Sequence, residues 1–242
     1  AKDFKDTALS LEGFATTIVG EVYNKAETEL VENKVNVYET GIFDSSKYKY
    51  DGTGMVVAVL DTGLDYTHTA FLDSNFKADR TKLGLTKQMV ADLLLAKDTR
   101  AEYYMQGVTA DDLYVSDKVP FAFDYADGDA DVYSLHNNHG THVSGVIAGL
   151  DDVITGVAPN AQLVSMKIFS DTAESARTSW ILAALEDCVT LGVDVINMSL
   201  GTACGFSREM DKEAVTGVYD RIRAAGISMV VAASNSFNSA YN

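Results

Sequence analysis

The sequence predicts an α/β domain: three layers, with a mainly parallel central sheet and helices on both faces. Two observations carry this. The apolar run at 55–60, rich in β-branched residues, has the pattern of a strand buried on both faces, and 162–169, 193–198 and 227–233 read as three further strands. Stretches with helical spacing separate the last three runs, and each stops at a glycine, Gly192 or Gly226. Strand, helix, strand at this spacing calls for parallel strands joined by right-handed crossovers.

Residues 1–40 read as a mixed segment ahead of a domain at 41–242. Within it 14–19 is strand-like, 22–32 fits a helix and 35–38 a short strand. Residues 45–54 are polar and read as a loop. The run 55–60, between Gly54 and Asp61-Thr62-Gly63, is the first buried strand. Residues 72–135 are long, polar and irregular, with a helical patch near 86–96. Residues 140–150 are rich in small side chains and suit a tightly packed helix. A second strand at 162–169 precedes a helix at 178–191, patterned by Ile181, Leu182, Leu185 and Val189. A third strand at 193–198, a long helix at 208–225 and a fourth strand at 227–233 complete the pattern. In open parallel sheets, functional groups collect just past the carboxyl ends of strands. That rule singles out Asp61, Ser199 and Asn235.

With 242 residues, 47% hydrophobic and 22% charged, the chain has an ordinary globular composition and can bury a full core. Its net charge of −16 repels phosphates and anionic lipid, so no nucleic-acid partner is expected. Cys188 and Cys204 form no CxxC pair or metal framework and read as free thiols. No stretch approaches the roughly 20 apolar residues of a membrane span. The opening Ala1-Lys2-Asp3-Phe4 is polar, so a secretory leader is expected to be absent from this chain.

Two polar groups stand out. A carboxylate at Asp61, directly after a buried strand, is held rigidly; it reads either as a functional group or as a turn or capping aspartate. His139 lies in His136-Asn137-Asn138-His139-Gly140-Thr141-His142. At a helix start it can face a cleft and exchange protons near neutral pH, or it is a satisfied core histidine. His136, His139 and His142 recur every third residue, so a metal site is a rival reading. The zinc-hydrolase pattern, however, needs a glutamate next to the first histidine, where Gly140 stands.

Val59-Leu60-Asp61-Thr62-Gly63 resembles the aspartate motif of the subtilisin-like serine proteases, the subtilases. The run from His139 to Gly145 resembles their histidine motif. Gly156-Val157-Ala158-Pro159 before a strand, Asn197-Met198-Ser199-Leu200-Gly201, and Val230-Val231-Ala232-Ala233-Ser234-Asn235 are similar to the family's next three landmarks. The five occur in family order. The resemblance implies a subtilisin-like fold and a serine endopeptidase with an Asp-His-Ser triad. Asp61 would orient His139, and His139 would carry the proton. Asn235 would donate to the oxyanion. Ser199, Leu200 and Gly201 would pair with the substrate backbone, and with Ala232, Ala233 and Ser234 would wall its pocket. Asn137 would line the cleft, and His142 would be structural, buried one turn below His139.

The resemblance also sets expectations about what is missing. The family's nucleophile sits in a Gly-Thr-Ser motif, but the Gly-Thr pairs starting at Gly52, Gly140 and Gly201 are followed by Gly54, His142 and Ala203. The catalytic serine is therefore expected outside residues 1–242, on a second chain or C-terminal fragment. Without it the chain would be inactive. The alternative is a non-catalytic pseudoprotease or regulatory binding domain with no serine at all. No cofactor is required for the chemistry. Subtilases often hold a structural calcium after the histidine helix; the short loop at 150–155, and Ala70 where an aspartate is expected, argue against that site. Asp127, Asp129 and Asp131 alternate and read as a cation site or an exposed acidic loop. The stretch 119–127 is similar to its counterpart in the cell-envelope proteinases of Gram-positive bacteria, which implies an extracellular or cell-surface location. Residues 11–16 are similar to the end of a subtilase propeptide, so 1–40 is a pro-segment remnant or a plain N-terminal extension.

Overall fold

The computed structural model describes residues 22–25, 50–134, 136–173, 175–201 and 212–233. Five strands form the main sheet: β2 (Val56–Asp61), β3 (Phe121–Asp124), β4 (Gln162–Lys167), β6 (Val195–Met198) and β8 (Ser228–Val231). Their order is β3-β4-β2-β6-β8, and every pairing is parallel.

The helices divide between the two faces. Val56, Ala58 and Leu60 of β2 point to one side, with Phe121, Phe123, Val164, Met166 and Ile196 from its neighbours. That core is closed by α1 (Lys87–Leu95), α5 (Thr178–Leu191) and α6 (Lys212–Ala224). Val57 and Val59 point to the other side, against Phe71, Ala148, Val143 and Ile147, the last three from α4 (His139–Ala148). The period-two alternation of β2 thus feeds both layers, which is why its sequence reads as unbroken apolar residues. The predicted helix at 178–191 forms over those residues and ends at Gly192 in the left-handed region, φ 66°.

The stretch 72–135 is more ordered than its polarity predicts. It contains α1, α2 (Arg100–Tyr104), α3 (Ala110–Leu113) and the edge strand β3. Only four residues long, β3 follows Pro120 and runs into a turn, so it is too short to give a periodic signal. Pairing with β4 makes it a strand.

A second correction falls at the N-terminus. Val22–Lys25 is strand β1, not the start of the predicted helix. It runs antiparallel to β5 (Ala176–Arg177) and to β7 (Leu200–Gly201), lying between them. Two flanking edges override the local helical pattern. The expected elements at 14–19, 26–32, 35–38 and 208–211 lie outside the described residues.

Candidate active site

Asp61 is the last residue of β2 and His139 the first of α4. Both are buried, at 1% and 5% exposure. Asp61 Oδ1 lies 2.7 Å from His139 Nδ1 and also accepts the backbone N–H of Thr62 at 2.7 Å. A carboxylate oxygen at this distance accepts, so Nδ1 carries the hydrogen, and in the neutral imidazole Nε2 keeps its lone pair. Asp61 Oδ2 is buried and accepts no hydrogen bond from the described residues.

The local sequence explains how the two residues meet. Gly63, at φ 116°, has no room for a Cβ, which would lie 2.1 Å from Val132 O. A Cβ at Gly140 would lie 2.2 Å from Gly63 O. The first turn of α4 therefore rests directly on the turn after Asp61. Thr62 clasps the two: its hydroxyl accepts Gly140 N–H at 2.9 Å and donates to Asn137 O at 3.2 Å. Asn137 in turn accepts His139 N–H on Oδ1 at 2.9 Å, satisfying an end donor of the helix. Thr62 is a site residue that motif reading passed over. Its signal was a hydroxyl beside the aspartate, opposite a helix start.

The other expected site residues are placed unevenly. Ser199 accepts from Asn197 Nδ2 at 3.0 Å, just past β6, and Leu200 and Gly201 form β7, paired with β1. Ala232 and Ala233 follow β8 and are exposed; Ala232 N–H donates to Met198 O at 3.0 Å. Ser234, Asn235 and Cys204 lie outside the described residues. His142 is not buried as expected. His139 turns toward Asp61, whereas His142 shares the outward stripe of α4 with Val146, and both are exposed. They line a cleft of about 620 Å³ together with His68, Phe71 and Val157.

The three-histidine reading does not assemble. His139 Nδ1 is committed to Asp61, while His136 and His142 are exposed. No group of three or more metal-ligating side chains comes together among the described residues. In the acidic loop Asp129 accepts Asp131 N–H and Asp131 accepts Tyr133 N–H, while Asp127 accepts the Ser170 hydroxyl. Cys188 is a buried free thiol whose pKa is pushed up by burial.

Comparison with known proteins gives this geometry its context. The subtilase family model matches residues 52–242. The chain belongs to the subtilase family. Within it, the chain is 33% identical over 237 residues to the PI-type proteinase of Lactococcus lactis subsp. cremoris, covering 93% of this chain and 11% of that protein. It is 35% identical over 194 residues to the C5a peptidase of Streptococcus pyogenes, covering 76% of this chain and 15% of that one. Among solved structures it is similar to fervidolysin from Fervidobacterium pennivorans, a keratinolytic enzyme related to subtilisin. The TM-score is 0.50 and the identity 25%, over 79% of this chain and 23% of that one. This subtilase chain thus spans about a tenth of the length of the first curated relatives. No helix among its described residues is long and apolar enough to cross a membrane.

Proposed function

We propose that this chain supplies the acid–base half of a serine endopeptidase, with the nucleophilic serine contributed by polypeptide outside residues 1–242. The observation that carries the reading is the buried Asp61–His139 contact at 2.7 Å. His139 Nε2 takes the proton of the serine hydroxyl as that oxygen attacks the scissile carbonyl. Asp61 fixes the tautomer and stabilises the imidazolium. His139 then returns the proton to the leaving amine. Asn235 donates to the oxyanion.

The substrate lies extended as an added strand on Leu200–Gly201, facing Ala176–Arg177. What supports this is β1, a peptide segment that adopts that antiparallel arrangement between β5 and β7. The same pairing supports reading the N-terminal segment as a pro-segment that occupies the substrate path. Peptide turnover by the serine-bearing protein tests the assignment. His139→Ala is expected to lower kcat by about 10⁶-fold; unchanged turnover would remove His139 from the mechanism.

We further propose an extracellular or cell-surface location, a reading supported by the similarity to the PI-type proteinase and the C5a peptidase. Protease added to intact cells should degrade it, and full protection would contradict that location.

A further inference from the structure

A buried row of charge stands beside the catalytic pair. Asp124, Lys167 and Asp61 are in register on β3, β4 and β2, so they lie side by side at the carboxyl edge of three adjacent strands. All three point to the face covered by α4. Ala122, Leu163 and Val59, each an even number of positions earlier on its strand, belong to that core. None is more than 1% exposed.

The lysine is held from several sides. Its Nζ donates to Asp124 Oδ2 and, at 2.9 Å, to Asp171 Oδ2, and lies 3.7 Å from Asp127 Oδ2. Asp124 is itself anchored, because its Oδ1 accepts the N–H groups of Ala126 and Asp127 at 2.8 and 3.0 Å. The lysine stem supports the turn after Asp61: a Cβ on Gly63 would lie 3.1 Å from Lys167 Cδ. Gly63 carries Gly140, and Gly140 is joined to His139. The backbone ties in as well, since Ile168 N–H donates to Asp61 O at 3.0 Å.

This arrangement exceeds what packing requires. A methionine would fill the same volume without burying a charge, and buried ion pairs are commonly no more stabilising than apolar replacements. Lys167 takes no part in the proton relay.

We propose that Lys167 is a positioning residue for the Asp61–His139 pair. Pinned by Asp124 and Asp171, it holds the end of β4 rigid beneath the Asp61-Thr62-Gly63 turn. The groups that face its ammonium are Asp124 and Asp127 from β3 and the turn after it, and Asp171 from the loop after β4. Asp61 of β2 flanks it in register, and His139 of α4 faces Asp61. The consequence for catalysis rests on the peptidase reading; the test does not.

The test reads the Nδ1–H proton of His139 by NMR, which a carboxylate at hydrogen-bond distance moves to low field. The double substitution Lys167→Met with Asp124→Asn removes the charge pair and keeps the volume. The expected result is loss or an upfield move of the resonance in a variant whose near-ultraviolet circular dichroism is native. An unmoved resonance overturns the proposal. If the double variant does not fold, Asp171→Asn, on a part-exposed carboxylate, decides: a smaller upfield move supports the proposal and an unmoved resonance overturns it. A native protein without the low-field proton would sink the Asp61–His139 pair itself, a different failure. In the serine-bearing protein, the double variant should lower kcat between about ten- and a hundredfold with KM little changed. A rise in KM alone would overturn the positioning role.

Discussion

Gly140 sits so close to Gly63 that a Cβ on residue 140 would lie 2.2 Å from the carbonyl oxygen of residue 63. This contact sets how near the histidine helix comes to the end of β2. Gly140→Ala should therefore push α4 away from Asp61 and cost on the order of 3 kcal/mol of stability. Gly107→Ala is the control: a Cβ there meets nothing within 4 Å, so its only strain is the positive φ, 80°, which Gly140 lacks. That change should cost only about 1 kcal/mol. Urea unfolding of the two variants compares them directly, and equal losses would mean that the Gly140–Gly63 approach is not a constraint.

Asp61→Asn keeps the volume but replaces an acceptor with an amide that can also donate to Nδ1. The imidazole then settles in the wrong tautomer, with Nε2 protonated and unable to act as base. In the serine-bearing protein kcat should fall by about 10⁴-fold with KM nearly unchanged. A fall of less than about tenfold in steady-state kinetics would mean that Asp61 does not set the tautomer.

Lys118 gives a pH signature far from the site. It is buried, and its Nζ donates to Pro159 O and Ala161 O at 2.8 Å each, 5.0 Å from the Phe76 ring centroid. Burial pushes its pKa down from 10.5 to about 7. Between those values the unfolded chain holds the proton that the folded chain releases. The penalty is thus fully present below pH 7 and is relieved as pH rises. Lys118→Met removes this dependence. The stability difference between variant and parent should change by up to about 1.4 kcal/mol per pH unit across that window, in the parent's favour as pH rises. A difference that is flat with pH would show that Lys118 titrates alike in both states.

The N-terminal strand makes a competition experiment possible. Protein lacking residues 1–49 has β5 and β7 unpaired by β1. It should bind an extended peptide inhibitor at least about tenfold more tightly than the intact chain, since β1 no longer competes for the same edges. Equal affinities by calorimetry would place the substrate elsewhere.

Much of this was legible in the sequence, for identifiable reasons. The β2 run reads as a strand because both of its faces are buried, and Asp61 is conspicuous as the first charge after it. The α5 boundaries were readable because an apolar stripe ends in a glycine that adopts the left-handed region. His139 stood out through its glycine neighbour, and the 2.2 Å approach to Gly63 gives that glycine its physical reason. Other features depend on tertiary partners. β1 and β3 are too short for periodicity and exist through their neighbours' edges. His142 and His139 sit three residues apart in one motif, yet the helix turns them to different surroundings. Lys167 is also conspicuous in the sequence, as the one charged residue in the strand run 162–169.

The central claim is that Asp61 and His139 activate a serine that these 242 residues do not contain. Labelling of the full-length protein with a fluorophosphonate probe, followed by mapping of the modified residue, tests this most directly. The account predicts one labelled serine outside residues 1–242, with labelling abolished by His139→Ala and strongly slowed by Asp61→Asn. Labelling of a serine within residues 1–242, or labelling indifferent to His139, would contradict it.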